Sequence, residues 1–233
     1  MNEYSLSRRL AAEAIGTGLL LAIVVGSGIM GDRLSGGNIA IALLANSIAT
    51  GAGLIVLIQM LGAVSGAHFN PAVSLVEAIQ GNLTKREALL YSTAQFLGGA
   101  AGVAAAHLMF GEAIFSLSVH ERSGFGQGFS EFVATFGLIA VIQGVGRNQK
   151  SAVPYAVGLY IASAYWFTAS TSFANPAVTL ARTLTDTFSG IRFEDLPVFW
   201  IAQILGALAA QGLFRWLAVT APKLPSKQDA PFQ

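Results

Sequence analysis

The side chains that most often carry catalysis are scarce in this chain. It has three histidines, His68, His107 and His120, and no cysteine, and its carboxylates are scattered. No histidine, cysteine and carboxylate set has the spacing of a catalytic or metal-binding cluster. The run Gly98 to Gly102 indicates close helix packing and not a nucleotide-binding loop. We therefore predict a protein that is not an enzyme and has no catalytic residue, metal site or cofactor.

The chemistry that the sequence does offer is hydrogen bonding by a repeated tripeptide, Asn-Pro-Ala. A single copy is usually a turn, but two copies at matching places favour a shared role. Asn is a favoured helix N-cap and Pro suits the first helical position, so each copy predicts the start of a short helix. The residues are Asn70, Pro71, Ala72, Asn175, Pro176 and Ala177.

The composition indicates where these short helices lie. Of the 233 residues, 54% are hydrophobic and only 11% are charged. Globular proteins carry about 25% charged residues, so this chain has too few to cover a soluble body. The net charge of +1 excludes the broad basic surface of a nucleic-acid-binding protein. We predict an integral membrane protein in contact with the lipid bilayer.

Long uncharged windows predict six membrane-spanning helices, because one span needs about 20 residues. The first window is predicted to stay as a helix, since Glu13 and the length of the apolar stretch argue against a signal peptide. The two longest windows are each longer than one span, and the additional residues in each contain Asn-Pro-Ala. These additional residues predict re-entrant half-helices at about Val73 to Gln80 and Val178 to Thr187. The windows are residues 14–31, 34–76, 88–111, 132–146, 151–181 and 196–214.

The two halves of the chain resemble each other. Glu13 and Glu131 lie in similar segments, and an Asn-Pro-Ala copy follows each in the same order. Each half has three spans, an odd number, so the second half must cross the membrane in the opposite sense. We predict an all-α membrane protein of six transmembrane helices and two half-helices. It is one domain over residues 1–233, with inverted repeats at approximately 8–109 and 128–218.

The positions of Lys and Arg predict the orientation. With a cytoplasmic N-terminus, six spans place nine of the thirteen basic residues inside. Both termini are therefore predicted to be cytoplasmic, and residues 222–233 to form a disordered cytoplasmic tail. The four basic residues left outside are Arg33, Arg122, Arg182 and Arg192.

The two Asn-Pro-Ala copies, the Ser-Gly-x-His-Phe segment at 65–69 and the Glu/Thr pair of each half resemble the major intrinsic protein family, the aquaporins and aquaglyceroporins. The resemblance runs from about Leu10 to Leu217. It implies a multi-pass protein of the cell (inner) membrane, a homotetramer with one pore per subunit. It also implies passive conduction of water or small uncharged solutes, without turnover chemistry.

The resemblance also implies roles for one histidine and two glutamates. His68 matches the pore histidine on the cytoplasmic side of the family. Glu13 and Glu131 match carboxylates that accept hydrogen bonds from the backbone of the re-entrant loops. The alternative is that the two glutamates carry protons, as intramembrane carboxylates often do.

Two half-helices that begin near the midplane would exclude ions. Their N-termini place partial positive charge at the narrowest stretch, which repels cations and hydronium. The side chains of Asn70 and Asn175 can hold the oxygen of a passing water or hydroxyl group. Neutral donors and acceptors are then expected to pass.

The sequence departs from the family at the position after the second Asn-Pro-Ala. Most relatives carry Arg there, at the outer constriction, whereas this chain has Val178. Arg182 lies one helical turn later, about 6 Å further toward the exterior. It either guards the outer vestibule or pairs with Asp186 away from the pore.

Family spacing adds Thr50, Tyr165 and Ser172 to Val178 as the predicted selectivity constriction. This set lacks the Phe/His/Arg combination of tight water channels and the aromatic corner of glycerol channels. We predict a wider, less charged pore than that of a strict water channel.

The predicted solutes are water and glycerol-like polyols. Val178, with the stretch from Thr185 to Phe188, resembles the bacterial aquaglyceroporins associated with arsenic resistance. Arsenite and other metalloid acids are therefore further candidates, because undissociated arsenous acid is a small neutral triol. Two alternatives stay open: a water-selective aquaporin in which Arg182 replaces the usual arginine, and a coupled secondary transporter.

Overall fold

The computed structural model describes residues 4–218, and within that range it contains helices and no strands. The predicted tail at 222–233 lies outside the described residues. Single 3₁₀ turns at Lys150–Ala152 and Phe193–Asp195 precede two of the helices. The α-helices are α1 (Leu6–Leu34), α2 (Ile39–Ser65), α3 (Pro71–Ile79), α4 (Lys85–Phe110), α5 (Phe125–Asn148), α6 (Val153–Phe167), α7 (Pro176–Arg182) and α8 (Leu196–Leu217).

Six of these helices correspond to the six uncharged windows. Five of them, α1, α2, α4, α5 and α8, are long and apolar enough to cross a membrane. The sixth, α6, has 15 residues, fewer than the about 20 that a full span needs. It ends early because residues 168–175 continue as irregular backbone, which is tolerated at membrane depth only where protein buries it. Thr168, Ser170 and Ser172 are indeed buried.

The two short helices begin at the Asn-Pro-Ala copies. Helix α3 has nine residues and its bounds lie close to the predicted ones. Helix α7 has only seven residues, so the prediction of a half-helix reaching Thr187 is wrong. The chain turns at Thr183, whose hydroxyl donates to the Leu180 carbonyl oxygen at 2.7 Å. The Arg182 carbonyl oxygen then accepts from Ile191 N at 3.2 Å and not from a following helical turn.

Glycines allow the long helices of each half to pack closely. A Cβ atom added to Gly98 would lie 2.1 Å from the Ala14 carbonyl oxygen, so α1 and α4 can approach there only with glycine. In the second half, a Cβ on Gly206 would lie 2.3 Å from the Phe132 carbonyl oxygen, between α8 and α5. The prediction that the glycine run serves helix packing is confirmed.

The loops meet at two opposite faces of the bundle. On the near face, where α1 begins, Arg9 donates to Glu87 at the start of α4. On the far face, residues 111–124, which we call the far-face loop, lie over the chain that follows α7. Ser116 N donates to the Leu184 carbonyl oxygen at 3.1 Å, and Arg192 N donates to the His120 carbonyl oxygen at 2.8 Å. The far-face loop thereby covers the end of the bundle at which α7 terminates.

Candidate pore

Each Asn side chain of the Asn-Pro-Ala copies both caps its own half-helix and binds the other half of the molecule. Asn70 Oδ1 accepts from Ala72 N at 2.9 Å, and Asn175 Oδ1 accepts from Ala177 N at 2.9 Å. Asn70 Nδ2 donates to the Ala174 carbonyl oxygen at 2.8 Å. Asn175 Nδ2 donates to the Phe69 carbonyl oxygen, also at 2.8 Å. These reciprocal bonds bring the N-termini of α3 and α7 together.

Glu13 holds the backbone that leads into α3. Its carboxylate accepts from His68 N at 3.0 Å and from Phe69 N at 2.7 Å. It also accepts from the Ser65 hydroxyl at 2.6 Å and from Gln95 Nε2 at 2.7 Å. The side chain is fully buried, and four donors satisfy it, which offsets the cost of desolvating the carboxylate.

Glu131 holds the backbone that leads into α7 in the same way. Its carboxylate accepts from Phe173 N at 2.9 Å and from Ala174 N at 2.8 Å. Gln203 Nε2 donates to it at 2.6 Å, and Glu131 is also fully buried. Each half therefore has a glutamate that orders its re-entrant segment.

The two glutamines were missed in the sequence, although a signal for them is present. Gln95 also donates to Ser74 Oγ on α3, and Gln203 to Thr179 Oγ1 on α7, so each joins a glutamate to a half-helix. The segments around them share the pattern Ala-Gln-x-Leu-Gly, at 94–98 and 202–206. A search for repeats among neutral polar residues would have found this pair.

A cavity with a volume of about 250 Å³ runs along the half-helices. Aliphatic side chains from α1, α2, α5 and α6 line one side of it, and the polar groups of the re-entrant segments line the other. All four residues of the predicted constriction and four of the other predicted pore residues line the cavity, whereas Pro71, Ala72, Pro176 and Ala177 do not. The lining residues among the predicted ones are Thr50, Tyr165, Ser172, Val178, His68, Asn70, Asn175 and Arg182.

Hydroxyl groups form part of the predicted constriction. Thr50 Oγ1 and Tyr165 Oη lie 3.2 Å apart, within hydrogen-bond distance across α2 and α6. The Ser172 hydroxyl is buried and has no hydrogen-bond partner among the described residues. Val178, at 5% exposure, adds an apolar surface to the same cavity. This part of the cavity therefore offers both hydroxyl groups and an aliphatic side chain.

His68 lies in the cavity, two residues before Asn70, the N-cap of α3. Its Nδ1 lies 3.0 Å from Ser74 Oγ. Its ring centroid lies 5.3 Å from that of Tyr91. The Nδ1 edge of the imidazole is therefore fixed by Ser74, and the residue also lines the cavity.

Arg182 lies in the cavity and does not pair with Asp186. Its guanidinium carbon lies 3.5 Å from the centroid of the Phe173 ring, and its Nε donates to the Ser189 carbonyl oxygen. The Asp186 carboxylate instead accepts from Val119 N at 3.1 Å. Arg182 therefore lines the cavity and the predicted pair with Asp186 does not form, while a role as guard of the outer vestibule stays a prediction.

A second arginine, Arg122 of the far-face loop, was not predicted to take part in the site. Its Nε donates to the Gly190 carbonyl oxygen at 2.8 Å and its Nη1 to the Ser170 carbonyl oxygen at 3.3 Å. Its guanidinium carbon lies 5.1 Å from the Phe173 centroid. Desolvation lowers the pKa of Arg122, but a guanidinium stays charged at neutral pH. No local sequence pattern identifies this residue, because the loop reaches the site only through tertiary folding.

Comparison with known proteins gives a family match over nearly the whole chain. The family model described as Major intrinsic protein matches residues 1–153 and 143–230. Aquaglyceroporin AqpS of Rhizobium meliloti (strain 1021) is 59% identical over 217 residues, which cover 93% of each chain. Probable aquaporin AqpM of Archaeoglobus fulgidus is 31% identical over 242 residues, covering 92% of this chain and 98% of that protein.

The fold also matches a solved structure. The aquaglyceroporin from Plasmodium falciparum superposes with a TM-score of 0.69 and 22% sequence identity. The match covers 90% of this chain and 96% of that one. At this identity the likeness concerns the arrangement of the helices.

Proposed function

The chain belongs to the major intrinsic protein family of passive membrane channels, which are not enzymes. From this membership we propose that it conducts water and glycerol-like polyols through the cavity described above. The observation that carries this proposal is the cavity itself. It passes the two facing half-helix N-termini and a constriction of hydroxyl and aliphatic groups. The 59% identity to a protein named as an aquaglyceroporin supports the same solute class.

The half-helix N-termini exclude ions in this proposal. They are held together by the bonds from Asn70 to Ala174 and from Asn175 to Phe69. Two positive helix ends at one point raise the energy of a cation or hydronium there. One N–H of each amide is used across the halves, which leaves the other to bind the oxygen of a passing solute.

Glu13 and Glu131 have a structural role in this proposal. Each carboxylate is surrounded by donors from the re-entrant backbone and from a glutamine. A proton carrier must exchange protons with the lumen, whereas neither carboxylate lines the cavity and both are fully buried. His68 is then the imidazole that can form hydrogen bonds with solutes in the lumen.

Arsenite is a further solute that the constriction supports. Thr50, Tyr165 and Ser172 offer hydroxyls, and Val178 leaves more room than an arginine would. Undissociated arsenous acid has three hydroxyl groups and no charge, so the same contacts suit it and glycerol. We therefore include metalloid acids among the proposed solutes.

Water selectivity is the second candidate, and one observation favours it. The guanidinium of Arg182 lies in the cavity with Tyr165 and Ser172. An arginine in the lumen supplies fixed charge and donors, as the usual filter arginine does in this family. If Arg182 closes the constriction to polyols, the protein conducts water alone.

The assembly and orientation are also proposals. Large apolar side chains are exposed along the long helices, as expected for surfaces in contact with lipid or with further subunits. Together with the family this supports a homotetramer in the inner membrane. The bias of Lys and Arg supports cytoplasmic termini, and the paired glutamates and glutamines support repeats at about 8–109 and 128–218.

Stopped-flow light scattering on proteoliposomes tests the proposed function. Water and glycerol gradients are applied to vesicles with protein and to protein-free vesicles. We expect accelerated water and glycerol flux, with arsenite uptake measured in the same vesicles by elemental analysis. Negligible glycerol flux in a water-permeable protein would favour the water-selective candidate. Uphill solute accumulation driven by an ion gradient would instead indicate a coupled transporter.

A further inference from the structure

The segment that leads into α7 has a strained backbone. Thr171, Ser172 and Ala174 have φ angles of 61°, 52° and 49°, in the left-handed region that non-glycine residues seldom adopt. Each such residue costs about 1 kcal/mol or more and persists only where its surroundings hold it. Ser172 lies in the proposed constriction, so whatever holds this segment also fixes the shape of the pore.

The corresponding segment of the first half is less strained and is held differently. It has two non-glycine residues with positive φ, Ala67 at 51° and Phe69 at 48°. Glu13 accepts hydrogen bonds from this segment, as Glu131 does from the second one. The equivalent carbonyl oxygens, of Ser65 and Ser170, accept from different side chains: Ser65 from the Tyr91 hydroxyl of α4 at 3.0 Å, and Ser170 from Arg122 Nη1 at 3.3 Å. The second half is therefore restrained by a charged side chain of the far-face loop instead of by a transmembrane helix.

Phe173 links this restraint to the pore. Its ring is contacted by two guanidinium groups, Arg182 at 3.5 Å and Arg122 at 5.1 Å from the ring centroid to the guanidinium carbon. A cation beside an aromatic ring gains about 1 kcal/mol, and more when both are desolvated. The ring also packs edge-on against Phe199, with centroids 5.1 Å apart. Phe173 is thus held in place by Phe199 and packs directly against the guanidinium of Arg182.

The far-face loop is itself tied down next to Arg122. The Arg122 backbone N donates to Asp195 Oδ2 at 2.7 Å, and Asp195 also accepts from Arg192 Nε at 2.9 Å. The backbone of Arg122 is therefore fixed, which restricts where its guanidinium can lie. It joins three parts of the far face, namely the loop itself, Ser170 and Gly190.

We propose that Arg122 is a positioning residue for solute selectivity, which holds Ser170 and Phe173 so that the guanidinium of Arg182 keeps one place in the constriction. The inference rests on the proposed function. Arg122 is not among the residues that line the cavity, so it acts through Phe173 and Arg182. Without it, the strained segment and Arg182 gain freedom, and the constriction discriminates less between small and larger polyols.

Arg122→Gln tests this inference in proteoliposomes, with glycerol and the five-carbon polyol xylitol as solutes. We expect the glycerol-to-xylitol permeability ratio to fall about fivefold, the change that corresponds to a lost contact of roughly 1 kcal/mol. Water flux per protein is expected to persist. Arg122→Lys keeps the charge but not the forked geometry, so its ratio should fall between those of the wild type and Arg122→Gln.

The matched control is Arg147→Gln. Arg147 makes the same kinds of contact on the opposite face, with its guanidinium carbon 5.4 Å from the Phe214 ring centroid and a bond to the Phe214 carbonyl oxygen, away from the cavity and from the far-face loop. Its ratio should equal that of the wild type. Phe173→Leu should reproduce the effect of Arg122→Gln, and the double variant should add nothing further.

Two results would overturn the inference. One is an unchanged ratio in a folded Arg122→Gln protein, or in Arg122→Lys if Arg122→Gln does not fold. The other is additivity of Arg122→Gln and Phe173→Leu. A wild-type protein that passes water but no polyol would refute the proposed function instead, and Arg122 would then be tested by the water-to-proton flux ratio of the same variants.

Discussion

Thr50 and Tyr165 join α2 and α6 across the pore, with their hydroxyl oxygens 3.2 Å apart. A second bond between these helices, from Trp166 Nε1 to Ser47 Oγ at 3.1 Å, lies outside the cavity. The predicted constriction is therefore bounded on this side by two hydroxyl groups that lie within hydrogen-bond distance of each other.

Removing either hydroxyl should destabilise the protein by a similar amount. Thr50→Val and Tyr165→Phe each lose one hydrogen bond, at a cost of about 1 kcal/mol. The double variant should cost little more than either single one, because the same bond is lost. Thermal denaturation in detergent measures this, with Ser47→Ala as a control that leaves the Thr50–Tyr165 bond in place. Full additivity would mean that the two hydroxyls do not bind each other.

Val178→Arg should convert the pore toward water selectivity. Val178 is buried in the cavity one turn before Arg182, so a second guanidinium adds volume and charge at the constriction. We expect glycerol flux to fall about tenfold, equivalent to roughly 1.4 kcal/mol, while water flux is retained. Val178→Leu adds volume without charge and separates the two effects. Unchanged glycerol flux would place the narrowest point elsewhere.

Asn175→Ala should weaken both α7 and ion exclusion. It removes the N-cap of α7 and the bond to the Phe69 carbonyl oxygen. Loss of an N-cap costs about 1 kcal/mol, and we also expect a proton leak, measured with a pH-sensitive dye inside the vesicles. Asn38→Ala removes the cap of α2, which lies at the surface, and should lose stability without leaking protons. Equal leaks in the two variants would contradict the role of Asn175.

Gly102→Ala should disrupt the contact between α1 and α4. Its Cβ would lie 2.0 Å from the Gly18 carbonyl oxygen, and backbone cannot move aside cheaply. The loss is expected to exceed about 2 kcal/mol, within the range of overpacked cores. In contrast, a Cβ on Gly62 meets nothing within 4 Å, so Gly62→Ala should stabilise α2 by about 0.5–1 kcal/mol. A tolerated Gly102→Ala would mean that the helices separate easily.

The sequence predicts the parts of this fold that depend on local spacing. The Asn-Pro-Ala copies identify the starts of α3 and α7, because capping depends on residues within one turn. The charged residues that bound the windows locate the long helices, since a charge in lipid is costly. The spacing typical of the family also selects four residues that line one cavity, namely Thr50, Tyr165, Ser172 and Val178.

The features that were missed depend on contacts distant in the sequence. The end of α7 at Arg182 depends on a turn whose partner is Ile191. Arg182 lies against Phe173 in the cavity and does not pair with Asp186, because Asp186 accepts from Val119 N instead. Val119 and Phe173 both lie in other segments of the chain. Arg122 enters the site only because the far-face loop folds over residues 183–195. No periodicity or propensity in the local sequence contains this information.

The reciprocal bonds of Asn70 and Asn175 also impose an order on synthesis. Asn70 donates to Ala174, so its amide has no acceptor until the chain has been made and inserted to that residue, 104 positions later. Until then the first re-entrant segment contains a polar side chain at membrane depth without its partner. Because an unpaired polar group is costly in lipid, we expect residues 66–79 to stay in contact with water or lipid headgroups until the second half is inserted. The lumen would then be completed late in biogenesis.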